Sequence, residues 1–372
     1  MHIVMFYHSL LSDWNHGNAH FLRGVVAELQ QRGHRVDVYE PRAGWSLQNL
    51  RREHGERVIE RLRRHLPGLR SHCYDPATLD LDAALARADL VLVHEWNEHE
   101  LVARINAHRA AGGRYRLLFH DTHHRSVSEP EQMARYRLDA YDGILAFGEA
   151  VRERYRAMGW AGDRVWTWHE AADTRLFRPL PAIRRRHDLI WVGNWGDGER
   201  SEELAEYLLE PVRRLKLRAT VHGVRYPEQA LAALRAAKID YRGWLPNFEV
   251  PRAFARHYCT VHVPRRPYVQ SLPGIPTIRV FEALACGIPL VSAPWEDSEG
   301  LFTAGKDYLI ARDSRQMQRQ LRALREEPAM AAELAAHGRR SILSRHSCGH
   351  RVEQLLAIFE QLSGTGLRQR TA

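Results

Sequence analysis

Residues 274–292 contain the pattern in this chain that most strongly suggests anion binding. The pattern predicts a loop, a short helix that starts near Pro276, a turn at Gly287 and a buried strand. Pro276 suits a helix start because its missing N–H would have no partner there. Backbone N–H groups at the start of a helix stabilise anions, so the pattern predicts a phosphate-binding site at this end.

Two charged side chains extend that predicted site. Arg279 adds a full charge one turn into the helix, and Glu282 lies three residues further along on nearly the same face. The amides of Thr277 and Ile278 would face the ligand. The amides and Arg279 would contact phosphates, and Glu282 would contact ribose hydroxyls, which fits a nucleotide sugar. The alternative is an ordinary capped helix that carries an Arg279–Glu282 surface pair.

A second anion-binding pattern follows the predicted strand at residues 188–192. The turn begins with Gly193 and Asn194, and Arg200 lies near the start of the next predicted helix. Glycine backbone can approach a phosphate closely, and Arg200 supplies a positive charge. The alternative is a loose turn in which Arg200 pairs with Glu203.

A dense polar cluster, residues 120–125, follows the predicted strand at residues 116–119. Three interpretations stay open. Histidine and aspartate are metal ligands, although no second ligand group at a recognisable spacing appears. In a structural interpretation, Asp121 caps the next helix. In the third, the cluster positions an acceptor, with Asp121 or His123 as the acid–base group and His120 beside them.

Other polar residues also follow predicted strands, at the edge where parallel sheets bind ligands. The loop between a strand at residues 2–7 and a helix at residues 19–32 contains Gly17 and Asn18, and Glu95 follows another apolar strand. The loop lacks a complete G-x-G-x-x-G pattern, so a dinucleotide site is only weakly indicated. Gly17, Asn18 and Glu95 are therefore candidates for an acceptor-side site.

Strands and helices alternate along the predicted pattern, which indicates an α/β fold with parallel sheets. Pro179 and Pro181 mark a boundary between two halves that repeat this theme. Asp80-Leu81-Asp82 resembles a metal-binding D-x-D pattern, but it precedes a predicted helix, where acids are expected. Residues 264–274 are predicted to be a loop, and further helices are predicted at residues 46–66, 129–139, 314–326, 328–342 and 348–362.

The chain has 372 residues, enough for two domains with sizeable cores, and 44% of them are hydrophobic. No run of about 18 apolar residues occurs, so we expect no transmembrane helix. The N-terminus lacks the basic start and apolar core of a signal peptide. Four scattered cysteines are typical of reduced thiols. These features predict a cytoplasmic protein, and association with the inner face of the membrane stays open.

The formal net charge is +9, and arginine dominates the basic residues because Lys216, Lys238 and Lys306 are the only lysines. Such a charge fits nucleic acid, anionic lipid or phosphate-rich ligands, but it also fits genome composition. The arginines are interleaved with acids, which favours genome composition over a polyanionic ligand as the reason for the positive charge. The one tight basic run, residues 184–186, lies where a solvated linker is expected.

The segment at residues 277–292, Thr-Ile-Arg-Val-Phe-Glu-Ala-Leu-Ala-Cys-Gly-Ile-Pro-Leu-Val-Ser, closely resembles the donor-site helix of GT-B glycosyltransferases. It is most similar to the group-1 enzymes related to the spore-maturation protein CgeB. The resemblance implies two Rossmann-like, doubly wound parallel-sheet domains with an interdomain cleft. It also implies a metal-independent glycosyltransferase of the hexosyltransferase type that uses a UDP or GDP sugar as co-substrate and needs no further cofactor.

The same resemblance implies roles for other residues. It assigns the turn with Gly193 and Arg200 to the donor pyrophosphate, and Gly243-Trp244-Leu245-Pro246 resembles the turn that flanks the nucleotide base. Residues 169–179, which include Glu170, resemble the segment that closes the N-terminal domain. The loop with Gly17 would face the cleft.

One departure concerns the sugar contacts. Many group-1 members carry two glutamates eight positions apart, and the earlier position here is Gly274. Only Glu282 is therefore carried over from that pattern.

The resemblance also sets the expected domain boundaries. Residues 1–180 would form an N-terminal acceptor domain, and residues 181–345 a C-terminal domain for the nucleotide-sugar donor. A helix at residues 346–363 would pack back on the N-terminal domain, followed by a flexible tail at residues 364–372.

The predicted function is transfer of a sugar from a nucleotide-sugar donor to an acceptor that the sequence does not identify. The acceptor classes left open are a saccharide, a lipid-linked glycan, a protein and a small molecule. The alternative enzyme is a nucleotide-sugar 2-epimerase of the same fold. A basic nucleic-acid-binding protein ranks last, because no dedicated nucleic-acid motif occurs.

Overall fold

A computed structural model of the protein describes residues 1–160 and 162–368. The chain forms two units: Met1–Glu170 together with the chain from Cys348 onwards, and Ala171–Ser347. The first unit is therefore discontinuous in sequence. Residues 171–180, which the sequence placed in the first domain, belong to the second unit.

Seven parallel strands form the sheet of the first unit, in the order β3-β2-β1-β4-β5-β6-β7. Its central strands β1, β4 and β5 are almost entirely buried, as their near-continuous apolar sequences predict. The strands are β1 (His2–Phe6), β2 (Arg35–Pro41), β3 (Ser71–Tyr74), β4 (Leu90–His94), β5 (Arg116–Asp121), β6 (Gly143–Ala146) and β7 (Val165–Thr167).

Six parallel strands form the sheet of the second unit, in the order β10-β9-β8-β11-β12-β13. Apolar side chains from these strands and from the following helices make one core. The strands are β8 (His187–Val192), β9 (Ala219–His222), β10 (Asp240–Tyr241), β11 (His257–His262), β12 (Leu290–Ser292) and β13 (Leu309–Ile310).

Helices connect the strands in both units, and in the described ranges none is long and apolar enough to cross a bilayer. The first unit contains α1 (Ala19–Gln31), α2 (Trp45–His54), α3 (Arg57–His65), α4 (Leu81–Leu85), α5 (His99–Ala110), α6 (Arg125–Ser128), α7 (Pro130–Ala134), α8 (Glu149–Ala157) and α17 (Cys348–Arg368). The second contains α9 (Ser201–Leu204), α10 (Glu210–Leu215), α11 (Glu228–Ala236), α12 (Val250–Phe254), α13 (Arg266–Ser271), α14 (Ile278–Cys286), α15 (Ser314–Glu326) and α16 (Pro328–Arg345), with a π-helical turn at Ala205–Leu209 and a 3-10 turn at Asn247–Glu249.

The strand order confirms the predicted α/β architecture of two Rossmann-like parallel sheets. In each sheet the first strand in sequence lies inside, so the order changes direction beside it: β1 lies between β2 and β4, and β8 lies between β9 and β11. Ligands bind beyond the carboxyl ends of strands at such positions. The candidate residues after β1, β4 and β5, and those after β8, therefore lie at the edge where a site is expected.

Two predicted helices differ from the structure. The helix expected at residues 46–66 is interrupted at Gly55, whose φ of 73° ends α2. The helix expected at residues 129–139 is shortened to α7, which Pro130 begins, and the short helix α6 before it was not predicted.

Three further predictions need correction. Strand β3 was not predicted, since its sequence Ser-His-Cys-Tyr has a weak apolar pattern. The predicted loop at residues 264–274 contains α13. The last helix extends to Arg368, so the predicted flexible tail is helical up to there, and residues 369–372 lie outside the described residues.

Gly338 lies on α16 where this helix packs closely on α14. An added Cβ would lie 2.7 Å from Leu284 Cδ2 and 2.8 Å from the carbonyl oxygen of Asp307. Alanine is the better helix former by about 1 kcal/mol, but overpacking costs about 1–3 kcal/mol. We therefore expect Gly338→Ala to lower the melting temperature of the second unit in a calorimetric scan.

Gly364 of α17 supplies the matched control. A Cβ added there would meet no atom within 4 Å, so Gly364→Ala should be neutral or slightly stabilising. Equal effects of the two substitutions would contradict the close packing of α16.

Candidate functional site

One buried carboxylate, that of Glu40 at the end of β2, holds the loop between β1 and α1. Its oxygens accept hydrogen bonds from Ser9 Oγ at 2.8 Å and from the N–H groups of Leu10 at 3.0 Å and Leu11 at 3.2 Å. These bonds compensate for its burial. Sequence reasoning missed Glu40; the available signal was a glutamate at the end of a predicted strand.

Gly17 and Asn18 lie at the far end of this loop and are partly exposed, and Asn18 precedes α1 without capping it through its side chain. Arg23 of α1 holds the loop between β1 and α1 through two hydrogen bonds. Its Nε donates to the carbonyl oxygen of Leu10 at 2.7 Å, and its Nη1 donates to Asp13 Oδ2 at 2.9 Å. The loop geometry thus depends on buried charged groups, and the roles of Gly17 and Asn18 stay predictions.

Rings from β1, β4, β5 and the first loop meet beyond the strand ends. Tyr7 Oη lies 2.9 Å from His120 Nδ1, and both side chains are fully buried. The Nδ1 atoms of His8 and His94 are 3.5 Å apart, and the ring centroids of His8 and His16 are 4.0 Å apart. Burial lowers the pKa of His8, His16 and His120 well below the usual value, so these rings are neutral at pH 7. Sequence reasoning selected only His120 from this group.

His94 and Glu95 form a buried pair where β4 ends. Glu95 Oε2 lies 2.8 Å from His94 Nε2, and Thr122 Oγ1 lies 2.8 Å from that nitrogen and 3.2 Å from Glu95 Oε1. Burial raises the pKa of Glu95 to about 8 and lowers the pKa of His94 to about 3. The pair is therefore a carboxylic acid beside a neutral imidazole at neutral pH.

Asp121, the predicted acid–base residue, ends β5 and is fully buried. Tyr155 Oη donates to its Oδ2 at 2.8 Å, and the N–H of His123 donates to its Oδ1 at 3.0 Å. Burial, reinforced by the nearby Glu95, raises the pKa of Asp121 to about 7. The structural interpretation expected Asp121 to cap the next helix, but Asp121 does not cap α6. Its hydrogen bond to the N–H of His123 instead shapes the turn before that helix.

His123 and Glu170 occupy different surroundings in the first unit. The partly exposed ring of His123 lies edge to face against Trp96, with centroids 5.0 Å apart. Glu170 is buried near α17, and its carbonyl oxygen lies 3.4 Å from Arg351 Nε. The structure thus brings His120, Asp121 and Glu95 together, whereas Glu170 contacts the last helix through its backbone.

Metal ligation is not supported by the geometry of the described residues, in which no three His, Cys, Asp or Glu side chains converge as ligands. The D-x-D pattern has a structural role instead. Asp80 Oδ1 accepts from the N–H of Ala83 at 3.0 Å and caps α4, and Asp82 Oδ1 lies 3.0 Å from His108 Nε2.

In the second unit, the turn after β8 packs on the turn after β9. The N–H of Gly193 donates to the carbonyl oxygen of His222 at 2.8 Å, and Asn194 Oδ1 accepts from the N–H of Val224 at 2.9 Å. A Cβ on Gly223 would lie 2.0 Å from the carbonyl oxygen of Gly193, so only glycine permits this approach. The Asn194 side chain joins the two turns.

Arg200 is buried beneath this turn, with 9% of its surface exposed. Its Nη2 donates to the carbonyl oxygen of Asn194 at 2.6 Å, its Nη1 donates to that of Val263 at 3.0 Å, and its guanidinium lies 5.1 Å from the ring centroid of Trp191. Its Nε has no hydrogen-bond partner among the described residues. Burial, together with the charge of Arg265, lowers the pKa of Arg200 to about 9.

The carboxylates near Arg200 bind other arginines. Glu203 pairs with Arg266 at 2.6 Å, and Glu199 pairs with Arg265 at 2.8 Å. The alternative in which Arg200 pairs with Glu203 is therefore wrong. Within the described part of the chain, Arg200 makes no ion pair with a carboxylate.

Helix α14 begins at Ile278, two residues after Pro276, so the predicted helix is present but Pro276 is not its first residue. Thr277 is the residue before the helix, and Gly287 ends it with a φ of 64°, as predicted. Arg279 Nη1 is hydrogen bonded to Glu282 Oε2, but Glu282 is fully buried, so the pair is not the surface pair of the alternative. The charge of Arg279 helps to lower the pKa of Arg200, so the two predicted anion-binding elements are neighbours.

Three other residues complete the description of this edge. His262, which ends β11, was missed; its Nδ1 lies 2.8 Å from Ser292 Oγ, and its buried Nε2 meets no hydrogen-bond partner in the part of the chain that the structure describes. Its signal was a histidine at the end of a predicted strand. Trp244, which follows β10, is partly exposed. Gly274 has a φ of 86°, and a Cβ there would lie 2.7 Å from both Ser298 Oγ and Glu299 Cγ, so a larger residue would strain the backbone and displace these two side chains.

Glu95 makes the stability of the first unit depend on pH. A carboxyl group whose pKa is raised by folding stabilises the fold fully below its unfolded value, 4.5 for Glu95, and this contribution is lost as the pH rises through about 8. Glutamine has the shape of a protonated glutamate and does not ionise. Between about pH 4.5 and pH 8, the unfolding free energy of Glu95→Gln should therefore fall less than that of the wild type. With about 1.4 kcal/mol per pKa unit, the difference should reach several kcal/mol.

Denaturant unfolding at both ends of this pH range measures the effect. Glu60→Gln, at an exposed position of α3, is the control and should follow the wild type. If wild type and Glu95→Gln lose stability in parallel, Glu95 is not held protonated in the fold.

Comparisons with known protein families agree with this geometry. A model described as glycosyltransferase family 4 matches residues 17–176, and a model described as glycosyl transferase-like matches residues 200–357. The two models thus cover most of both units, and β1 and β8 lie outside the matched ranges. No curated protein sequence matches the chain.

Solved structures share the fold at low sequence identity. Sucrose-phosphate synthase from Thermosynechococcus elongatus is 12% identical, with a TM-score of 0.69 over 98% of this chain and 100% of that one. The Anabaena protein HepE is 13% identical, with a TM-score of 0.66 over 98% and 100%. An α-glucosyltransferase is 10% identical, with a TM-score of 0.69 over 97% and 99%. With both family models, these likenesses support group 1 of the GT-B enzymes, and the chain is a glycosyltransferase of the EC 2.4 class with the GT-B fold.

Proposed function

We propose that the protein transfers a hexose from a nucleoside diphosphate sugar, bound by the second unit, to an acceptor hydroxyl bound by the first. The observation that carries this proposal is Arg200, a buried guanidinium that contacts two carbonyl groups and an indole ring but no carboxylate. A buried cation without a counter-charge is costly, so the site favours an anion. The diphosphate of the donor is an anion of the right kind.

The surroundings of Arg200 support a diphosphate at this place. The turn above it contains Gly196 and Gly198, whose φ angles of 94° and 89° allow backbone to approach a ligand closely. The first turn of α14 adds N–H groups and the charge of Arg279. The carboxylates of Glu199, before α9, and of Glu203, on α9, pair with Arg265 and Arg266, so they do not neutralise the site.

If the diphosphate binds at Arg200 and the start of α14, the sugar-nucleotide's other groups lie near Glu282 and Trp244. The Glu282 carboxylate, held by Arg279, is assigned to the ribose hydroxyls, and Trp244 to the nucleotide base. The leaving nucleoside diphosphate is stabilised by arginine and helix amides without a metal ion or other cofactor. HepE and the α-glucosyltransferase were both solved in complex with UDP, which supports uridine as the first base to test.

The acceptor is assigned to the carboxyl edge of the first sheet. If the reaction inverts configuration, Asp121 or His123 receives the acceptor proton; if it retains configuration, the leaving phosphate can take that proton. The uncharged histidines and Glu95 suit an uncharged hydroxyl compound. The residues assigned to this side are Gly17, Asn18, Glu95, His120 and Glu170.

Three finer assignments belong to the same proposal. The sequence of residues 277–292 supports the CgeB-related subgroup. A cytoplasmic location is supported by the four cysteines, which are free thiols. The 2-epimerase alternative is not favoured, because both matching family models describe transferases; incubation of a nucleotide sugar alone tests it, since only an epimerase turns over without acceptor.

The donor site is tested by titration calorimetry with UDP and with GDP in the presence of excess chelator. Arg200→Gln should weaken binding about 10- to 100-fold, because a hydrogen bond to a charged group contributes about 1.5–3 kcal/mol. The same substitution removes a buried charge but also the hydrogen bonds to the carbonyl oxygens of Asn194 and Val263, so a melting scan must first show that the variant stays folded.

Arg235→Gln is the control for this measurement, since Arg235 is an exposed arginine of the second unit that pairs with Glu228 at 2.6 Å. It should leave nucleotide affinity unchanged. Binding that disappears on chelation would overturn metal independence, and full affinity in a folded Arg200→Gln variant would remove Arg200 from the donor site.

The acceptor assignment predicts a separation of effects. Asp121→Asn or His123→Ala should lower turnover by about 10²- to 10⁴-fold, the usual contribution of a general base, while nucleotide affinity stays nearly intact. Turnover is measured as release of nucleoside diphosphate from the donor that calorimetry identifies. Unchanged turnover in both variants would make the cluster structural, and Glu95 would be the next residue to test.

A further inference from the structure

Two buried ring nitrogens follow neighbouring strands of the second sheet at its carboxyl edge. His262 ends β11, and Trp295 lies shortly after β12, which pairs with β11 in parallel. Within residues 1–160 and 162–368, neither His262 Nε2 nor Trp295 Nε1 meets a hydrogen-bond partner. The exposed fractions of these residues are only 2% and 8%. An unmade hydrogen bond at a buried polar group costs stability, so we expect a ligand or an ordered water at both atoms.

The hydrogen bonds of His262 fix which of its nitrogens carries the proton. Its Nδ1 lies 2.8 Å from Ser292 Oγ, and Ser292 Oγ donates to the carbonyl oxygen of Ala293 at 2.7 Å. Because a hydroxyl has one proton, both bonds form only if Nδ1 donates to Ser292 Oγ. Burial, together with the charge of Arg200, lowers the pKa of His262 to about 3, so the ring is neutral at pH 7. Nε2 is therefore a hydrogen-bond acceptor.

The two nitrogens have opposite hydrogen-bonding roles. His262 Nε2 accepts, whereas Trp295 Nε1 can only donate. The two ring centroids are 6.3 Å apart and the ring planes meet at 88°, so both side chains border the same region. A hydroxyl group both donates and accepts, so a polyhydroxylated ligand satisfies the pair. A diphosphate does not, because its oxygens carry no proton for Nε2 at neutral pH.

The pair lies beside the elements assigned to the donor diphosphate. The residue after His262 accepts a hydrogen bond through its carbonyl oxygen from Arg200 Nη1 at 3.0 Å. The residue after Trp295 accepts in the same way from the N–H of Gly274 at 2.7 Å, and Gly274 lies in the loop before α14. A hexose joined to a diphosphate at Arg200 and the start of α14 would therefore lie near both nitrogens.

We propose that His262 Nε2 and Trp295 Nε1 bind hydroxyl groups of the donor hexose and so contribute to the choice of sugar. This inference rests on the proposed function, because it takes the diphosphate at Arg200 as given. One hydroxyl donates to Nε2, and the same or a neighbouring hydroxyl accepts from Nε1. A sugar without the contacted hydroxyl leaves a buried polar atom unpaired, and sites of this kind discriminate strongly between substrates.

The nucleotide base is a competing occupant with similar chemistry. The N3–H of uracil can donate to Nε2, and a carbonyl oxygen of uracil can accept from Nε1. The order of the strands favours the hexose. Trp244, assigned to the base, follows β10 at one end of the sheet, whereas the pair follows β11 and β12 on the other side of β8. Arg200 lies in the chain after β8, between these two places in the strand order.

Titration calorimetry of the full chain tests the proposal with UDP, UDP-glucose, UDP-galactose, GDP and GDP-mannose. UDP-glucose is included because HepE was also solved in complex with it. The measured quantity is a ratio, the Kd of the nucleoside diphosphate divided by the Kd of its hexose derivative. This ratio reports the hexose contacts alone, since the contacts to the base and the diphosphate are common to both ligands.

Three substitutions remove or keep the proposed contacts. His262→Asn keeps an amide near the position of Nδ1 and has no atom at that of Nε2, so the ratio should fall about 3- to 10-fold for the hexose that fits. His262→Gln keeps a carbonyl oxygen near Nε2 and should retain part of the ratio. Trp295→Phe keeps an aromatic ring beside Tyr308 but lacks Nε1, so it should lower the ratio like His262→Asn.

His257, at the opposite end of β11, provides the matched control. Its Nδ1 lies 2.7 Å from the carbonyl oxygen of Ala253, and its Nε2 lies 3.1 Å from Thr220 Oγ1, so both nitrogens have partners within the fold. His257→Asn should therefore lower the melting temperature and leave every ratio unchanged. An equal fall of the ratio in His257→Asn and His262→Asn would reflect a general loss of packing and overturn the proposal.

The remaining outcomes are also decisive. Unchanged ratios for all three hexoses, with a lowered melting temperature, would assign both nitrogens to a structural water and overturn the hexose contact. If UDP itself loses as much affinity as UDP-glucose, the pair contacts the base instead. If His262→Asn proves unfolded, His262→Gln and Trp295→Phe provide the test. Failure of the proposed function looks different, because the wild type would then bind neither UDP nor GDP.

Discussion

Parallel pairing of β1 with β4, and of β8 with β11, brings strand ends from distant parts of the chain to one edge of each sheet. Side chains that leave the strands at this edge are covered by the following loops and lose contact with water. Ionisable groups in that position are stable only if they are uncharged, are paired with another group, or are neutralised by a bound ligand. The chemistry of both candidate sites follows from this constraint.

The two units meet the constraint in different ways. In the first, Glu95 and His94 are both uncharged, and Asp121 is held by hydrogen bonds from Tyr155 and a backbone N–H. In the second, Arg200 stays buried with only carbonyl and aromatic contacts. An uncharged site suits a neutral hydroxyl compound, and a cationic one suits an anion. Burial of the Arg200 charge costs stability in the second unit, and the anion proposed for this site would offset that cost.

Local patterns in the sequence predicted the elements but not the long-range partners. Apolar runs located most strands, and Gly287 was placed at the end of α14 because a left-handed residue there has a local cause. Arg200 was selected from its strand–turn–helix context. The role of Glu40, by contrast, depends on a loop about thirty residues away in sequence, and no local pattern encodes that contact. His94 and His262 were missed for the same reason, since their partners come from neighbouring strands.

The discontinuity of the first unit has a consequence for how the protein is made. The chain leaves this unit after Glu170 and returns only at Cys348, where α17 begins. Trp168, the residue after β7, is buried and donates through Nε1 to the carbonyl oxygen of Arg351 at 2.8 Å. Its packing therefore depends on the last helix, α17. During synthesis all seven strands of the N-terminal sheet emerge first, yet their unit lacks α17 until the chain beyond Ser347 has been made. The second unit is continuous and is complete in sequence before that point, so it can finish folding first.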